Sequence, residues 1–318
     1  MAGVLAVPTV AWTVARLAGL EVGFPGVALM AYTPYAAVAS VVPLAVSLLL
    51  RQWLVAVPVA LAVACLAVLV LPRGFGGPDP AGTGPEASGG GPVLRVLTSN
   101  MLVGGADPES IVDLVRTGRV DLLATQEYTP QARQRLAAAG LERLLPHQAA
   151  YPLPGVVGSA LYSRFPLTDA GYRNLPGGFG QAYATLHVPG APAMLVESAH
   201  PAAPATARLI PSWRADLAAE PPATPHGPVR VLLGDFNSTL DHVELRRLVG
   251  TGYRDAASVV GAGLTPTWPY NKWWPKVTLD HVLADTRIGV RAVSVHQVHD
   301  SDHRAVLAEL ALPAPGPG

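Results

Sequence analysis

Ser301-Asp302-His303, two residues past His299 near the C-terminus, is the stretch from which the rest of the chain can be ordered. Alone the tripeptide means little. Its weight comes from what precedes it: Asn100, Gln126-Glu127, His200, Gly234-Asp235-Phe236-Asn237 and Leu279-Asp280-His281. Each of these ends a short apolar run that reads as a β-strand. In open α/β sheets, strand ends are where chemistry is presented. The chain therefore reads as a scaffold gathering strand ends around one site.

Between these landmarks, Val93–Met101, Val120–Tyr128, Gly158–Ser163, Ala182–Val188, Ala193–Ala199, Val229–Leu233, Val277–Leu283, Ile288–Val298 and Ala305–Leu310 are predicted strands. Helices are expected after the Asp107-Pro108-Glu109 start signal, over Pro130–Leu145, over Thr206–Ala219 and over Asp241–Val249. The three middle strands lack long helices between them, so antiparallel neighbours are expected there. Intermixed strands and helices over about 220 residues indicate an α/β fold, a two-sheet sandwich flanked by helices.

The N-terminal quarter is of another kind. The chain has 318 residues, half of them hydrophobic and only 14% charged. From Met1 to Leu71 the only charged side chains are Arg16, Glu21 and Arg51. Three apolar spans are expected, Val4–Leu20, Val27–Leu50 and Trp53–Leu71. A crossing needs about 20 apolar residues, so the first is marginal. No basic residue precedes the first run and two more follow it, which argues against a cleaved signal peptide. The expected organisation is a membrane anchor at 1–72 with about three transmembrane helices and a Gly/Pro-rich linker at 73–92. A catalytic domain at 93–312 and a tail at 313–318 follow. As a flexible coil the linker would span roughly 25 Å. Arg51 in the turn between the second and third spans places that turn in the cytoplasm and the catalytic domain outside, at the cell membrane. Arg16 and Arg73 count against this orientation unless Arg16 pairs with Glu21.

Asn100, Glu127, Gly234-Asp235-Phe236-Asn237, Asp280 and Ser301-Asp302-His303, in this order, resemble the endonuclease/exonuclease/phosphatase superfamily. The resemblance covers essentially all of Val93–Leu310. The N-terminal spans resemble a narrower group, the membrane-anchored VanJ-like teicoplanin-resistance proteins. The superfamily resemblance implies metal-dependent hydrolysis of a phosphate ester, with Mg²⁺ (or Mn²⁺) as cofactor. Magnesium takes oxygen ligands and keeps several waters, so one or two carboxylates and an amide suffice. The metal-ligand candidates are Glu127, Asp302 and Asn100. Asp235 would accept a proton from, or orient, the attacking water, and Asn237 would hold that water or a phosphoryl oxygen. His303, held by Asp280, would donate to a phosphoryl oxygen. His200 is expected to face the phosphate. Whether Asp235 or His303 is the base stays open.

Thr265–Lys276 holds half of the chain's six tryptophans, Trp268, Trp273 and Trp274. Trp and Tyr favour membrane interfaces, so this loop is a candidate substrate-binding lip that meets lipid. The alternative is a loop whose tryptophans plug the domain's own core. The expected partners are the membrane and a lipid-linked phosphate substrate such as undecaprenyl pyrophosphate. A surface nuclease and a catalytically silent interaction module are the alternative readings. Net charge is zero, no Lys/Arg-rich stretch tracks a nucleic-acid backbone, and Leu102 stands where some nuclease members carry an acid. The lone Cys65 excludes an intrachain disulfide.

Overall fold

The structure, a computed structural model, describes residues 2–79, 91–273 and 275–314. Twelve strands form two six-stranded mixed sheets. In chain order they are β1 (Val93–Asn100), β2 (Leu122–Gln126), β3 (His147–Tyr151), β4 (Ser159–Ser163), β5 (Leu167–Asn174), β6 (Gly180–Leu186), β7 (Met194–Ala199), β8 (Arg230–Asp235), β9 (Tyr253–Asp255), β10 (Asp280–Asp285), β11 (Gly289–Gln297) and β12 (Arg304–Ala311). One sheet runs β11-β12-β1-β2-β4-β3 and the other β5-β6-β7-β8-β10-β9. Of the three strands expected to be antiparallel neighbours, β6 and β7 pair so, while β4 lies in the other sheet between β2 and β3; β1·β2 and β7·β8 are parallel. Leu94, Val96 and Leu122 of one sheet interleave with Val196, Val231 and Leu233 of the other to form the central core. Strands buried on both faces carry continuous apolar runs, which is why β1, β2 and β8 stand out in the sequence.

Helices cover the outer faces. The helix Pro108–Thr117 starts on Asp107, whose carboxylate accepts the Ser110 N–H at 3.0 Å. The expected helix over Pro130–Leu145 breaks into Pro130–Ala138 and Leu141–Leu144, because Gly140 takes φ +92°, a conformation that ends a helix cheaply only with glycine. The helix expected from Thr206 starts only at Ile210, with Pro211 in its first turn.

His281 and Asp255 form a buried pair behind β10: Nδ1 lies 3.0 Å from Oδ1, while Nε2–H donates to Ser238 O at 3.0 Å. Burial alone would push His281 down, but the bond and charge of Asp255 raise it above 6.5. Burial would likewise raise Asp255, and His281 holds it below 3.8. The histidine's share of stability is therefore complete below 6.5 and lost as pH rises through its raised folded value. The aspartate's share is complete above 3.8 and lost as pH falls through its lowered folded value. Asp255→Asn should thus lower the Tm most between pH 3.8 and 6.5, with the gap to wild type narrowing on either side in thermal unfolding scans. A gap independent of pH would reject the ion pair.

The N-terminal region departs from three uniform spans. It consists of α1 (Ala2–Ala18), α2 (Gly23–Met30), α3 (Thr33–Ala39), α4 (Val41–Leu49) and α5 (Trp53–Val70), with α1 and α4 packed on α5. Among the described residues one helix, Trp53–Gly74, is long and apolar enough to cross a membrane. Gly3–Ala18 and Gly23–Met30 qualify only as a pair bent by 90°, and Thr33–Leu49 is shorter. The expected span Val27–Leu50 fails as one helix because its first turns are drawn onto the two-sheet domain. There Phe24 and Val27 pack with Trp213, Phe236 and Leu245. Pro34 then starts a new helix after the elbow at Ala31-Tyr32.

This docking is polar as well as apolar. The Asp241 carboxylate, fully buried, receives Arg16 Nε at 2.7 Å and Arg73 Nη2 at 2.7 Å. Arg16 therefore does not make the pairing with Glu21 that would have removed it from the orientation count. Glu21 instead accepts the Val243 N–H at 2.5 Å, capping the helix Val243–Val249 in place of a side chain of its own. His242 Nε2–H donates to Val27 O at 3.0 Å. The linker, too, is fastened where it is described. Gly263 N donates to Arg73 O, Asp79 exchanges backbone bonds with Val290, and Arg254 pairs with Asp79 at 2.7 Å. Residues 80–90 and 315–318, in the expected linker and tail, lie outside the described residues.

Candidate active site

The parallel centre of each sheet sends its strand ends to one side. β1 delivers Asn100, β2 is followed by Glu127, β7 by His200, β8 ends on Asp235, and β10 begins on Asp280 directly opposite it in register. Gly234 is glycine for a steric reason: a Cβ there would stand 1.9 Å from Ala199 O on β7. The turn after Asp235 needs a left-handed residue, which Asn237 supplies at φ +48°, its N–H donating to Asp235 Oδ1 at 2.9 Å. Glu127 is also left-handed, at φ +55°, as are Leu102 and Val103 facing it. Such strain clusters where surrounding structure over-determines the backbone, as at functional sites.

Hydrogen bonds join these residues into one network. Asn100 Nδ2 donates to Asp235 Oδ2 at 3.0 Å and to Glu127 Oε1 at 3.2 Å, and Val103 N donates to Glu127 Oε2 at 2.6 Å. Asn100 Oδ1 accepts the Leu102 N–H, so its amide orients the two carboxylates. His303 Nδ1 donates to Asp280 Oδ2 at 2.9 Å, and its Nε2 lies 3.5 Å from Asp235 Oδ2. Ser301 Oγ accepts the His303 N–H and donates to Asn100 O, which fixes the tripeptide to β1. His200 Nε2 stands 3.9 Å from both Glu127 and Asp235, with Phe179 edge-on to its ring. Asn237 Nδ2 is held by Pro201 O at 3.0 Å.

The electrostatics divide the two histidines. Burial on its own would lower His303, but Asp280 and Asp235 beside it raise it to about 10, so it is an imidazolium at neutral pH. Burial takes His200 the other way, down to about 4, against the pull of Asp235. Burial also raises Asp235 and Glu127, opposed by His303 at the first and by the Asn100 bond at the second.

Glu127, His200, Asp235, Asn237, Trp268, Asp302 and His303 line one cavity of about 510 Å³, with Asn100 and Asp280 bonded directly behind them. Trp268 Nε1 donates to Asp302 Oδ2 at 3.1 Å, leaving Asp302 Oδ1 buried without a partner. Trp273 is 91% exposed and outside this cavity, because the segment turns outward after Tyr270. Trp274 lies outside the described residues. The sequence missed the opposite wall: Phe24, Val27, Ala28, Ala31 and Tyr32, from α2 and its elbow. No local signal marks them, since only long-range docking brings them there.

Asp235, Asp280 and His303 bring ligand atoms within 4.8 Å of one another, close enough in principle for an ion. A metal needs a neutral imidazole, whereas His303 is hydrogen-bonded through Nδ1 to Asp280 and raised by the charges of Asp280 and Asp235. Oxygen donors of the kind a small divalent cation takes line the same cavity at Glu127 and at the unpartnered Asp302 Oδ1, and Asp280 Oδ1 is likewise buried without a partner.

The family model described as "Endonuclease/Exonuclease/phosphatase family" matches residues 97–303, and the chain belongs to that family. Its members are hydrolases of phosphoester bonds that generally use a divalent metal ion. Among solved structures, the chain is similar to an endonuclease/exonuclease/phosphatase protein from Beutenbergia cavernae (TM-score 0.58, 21% identity, 71% of this chain and 73% of that one). It is also similar to a humanized D. rerio TDP2 (TM-score 0.57, 12% identity, 69% and 98%) and to truncated Caenorhabditis elegans TDP2 (TM-score 0.54, 17% identity, 69% and 98%). At these identities the likeness is one of fold. No curated protein matches this chain.

Proposed function

We propose that the chain is a membrane-tethered, Mg²⁺-dependent phosphoesterase acting on a lipid-linked phosphate or pyrophosphate, such as undecaprenyl pyrophosphate, at the outer membrane face. The observation that carries this reading is the composition of the cavity. One wall is catalytic and polar, and the other is apolar and comes from the N-terminal helices. A soluble nucleotide would gain little from the second wall, while a lipid phosphate meets both. The meeting of Arg16 and Arg73 on Asp241 puts the ends of α1 and α5 on the catalytic side, with Arg51 between α4 and α5. Arg51 alone then carries the proposed orientation, since Arg16 and Arg73 on the catalytic side count against it. The N-terminal likeness to VanJ-like proteins supports a cell-wall lipid and a role in antibiotic resistance.

In this reading Glu127 and Asp302 would hold the ion, with Asn100 orienting Glu127. When bound there, such an ion would supply charge neutralisation at the phosphoryl oxygens. Asp235 takes the proton of the attacking water, and Asn237 positions that water. His303, cationic at neutral pH, donates from Nε2 to a phosphoryl oxygen, while neutral His200 offers a hydrogen bond without a charge. The cationic state of His303 favours Asp235 as the base. The test is phosphate release by detergent-purified full-length protein with Mg²⁺. Undecaprenyl pyrophosphate, a phospholipid and a plasmid are assayed in parallel, with Glu127→Ala as blank. Release from the isoprenoid alone is expected. Plasmid cleavage alone would replace the lipid reading with a surface nuclease.

A further inference from the structure

A second cavity, of about 400 Å³, lies between α3 and the segment Gly263–Thr278. It shares Ala31 and Val277 with the catalytic cavity, so the two meet at the elbow between α2 and α3. Its sides are Pro34, Val38 and Ala39 on α3, facing Leu240, Leu264 and Pro266 of the catalytic domain. The width is fixed by Tyr35, whose hydroxyl donates to Lys276 O at 2.8 Å and accepts the Lys276 N–H at 3.1 Å.

We propose that this groove holds the hydrocarbon chain of the substrate whose phosphate occupies the catalytic cavity. The inference rests on the lipid-linked reading above. Three observations select a hydrocarbon. The charges that reach the groove are already engaged: Arg73 with Asp241, and Lys276 4.9 Å over the Tyr270 ring. An uncharged occupant is therefore the complementary one. The groove and the catalytic cavity adjoin at Ala31 and Val277, which line both, so a chain bound in the groove would start beside the phosphate. At its far end α3 leads into α4, whose Val41, Val42 and Leu49 are exposed apolar residues that suit a lipid surrounding. Cavities of several hundred Å³ with apolar walls and few polar groups are the usual form of a small-ligand site.

The test uses full-length protein in detergent with Mg²⁺ and two pyrophosphate monoesters that share a head group, undecaprenyl pyrophosphate and isopentenyl pyrophosphate. Ala39→Trp and Leu264→Trp fill the groove from opposite, exposed walls and touch none of the catalytic residues. Each is expected to lower kcat/KM on the long-chain ester about tenfold, through KM, with kcat/KM on the short ester unchanged. Tenfold corresponds to about 1.4 kcal/mol, within what burying or losing a few methylenes supplies. Unchanged long-chain kinetics in both variants would overturn the groove and leave the lipid-phosphatase reading standing. Equal losses on both esters would also overturn it, as damage not specific to the chain. A wild-type protein that turns over the short ester but not the long one would defeat the lipid reading itself, and the groove with it.

Discussion

His303→Ala is expected to lower turnover by about 10²- to 10⁴-fold, the range associated with a positioned proton-transfer or charge-stabilising group. Nδ1 is held at 2.9 Å by Asp280, which leaves Nε2 facing the cavity and Asp235. The cationic state follows from the two carboxylates, which overcome burial and raise the imidazole to about 10. Removing it does more than delete a donor, because Asp235 and Asp280 are left buried with their shared counter-charge gone. Asp235, which burial already raises and His303 holds down, would then favour protonation and lose its ability to accept a proton. Asp280→Asn separates the two effects. It keeps the hydrogen-bond geometry but removes one charge, so a smaller loss is expected, with the alkaline limb of the pH–rate profile moved down. Wild-type turnover in His303→Ala would reject its role outright.

Asp241→Ala should produce the largest change in stability, about 3–5 kcal/mol, the usual cost of leaving buried ion-pair partners uncompensated. Arg16 and Arg73 have side chains only 5% and 11% exposed, and both depend on the same carboxylate. Burial alone would raise Asp241, but the two guanidiniums hold it below 3.8. The pair's contribution is therefore complete above that value and lost as pH falls through the lowered one. The readout is thermal unfolding of the full-length protein at neutral pH, where a Tm unchanged within a degree would contradict the buried clamp. Asp241→Asn retains hydrogen bonds to both arginines and should fall between.

The parts of the fold legible in the sequence are those whose physics is local. β1, β2 and β8 are buried on both faces, so their apolar runs announce them, and the chemistry-bearing residues stand at their ends. β3 and β5 escaped notice because they are edge strands of half-exposed, polar sequence with no clean alternation, and β9 because it is an edge strand of only three residues. Val277–Leu279 reads as the start of β10 but forms only a bridge to Trp268, and the ladder begins at Asp280. Ser301-Asp302-His303 is placed by Ser301 bonding to Asn100, a contact between residues 201 apart in sequence. The N-terminal helices show the limit most clearly. Their hydropathy suggests three independent spans. Whether α2 crosses a bilayer or lies on the catalytic domain depends on Asp241, Trp213 and His242, which no local pattern connects to it.

The fastening of Arg73 and Asp79 to the catalytic domain has a consequence for how the enzyme would work on a bilayer. A domain on a slack leash searches a volume and can sample molecules at any height. Here Arg73 and Asp79, on the near side of residues 80–90, are pinned to the catalytic domain, and so is Pro92 on the far side, through Leu312. On the membrane reading, the active site then behaves like the jaw of a fixed gauge. It would work only on head groups presented at one depth, and each substrate would have to arrive by lateral diffusion. Inserting extra glycine and serine between residues 80 and 90 should therefore leave the rate as it is, because reach is set by the clamp rather than by the length of the chain.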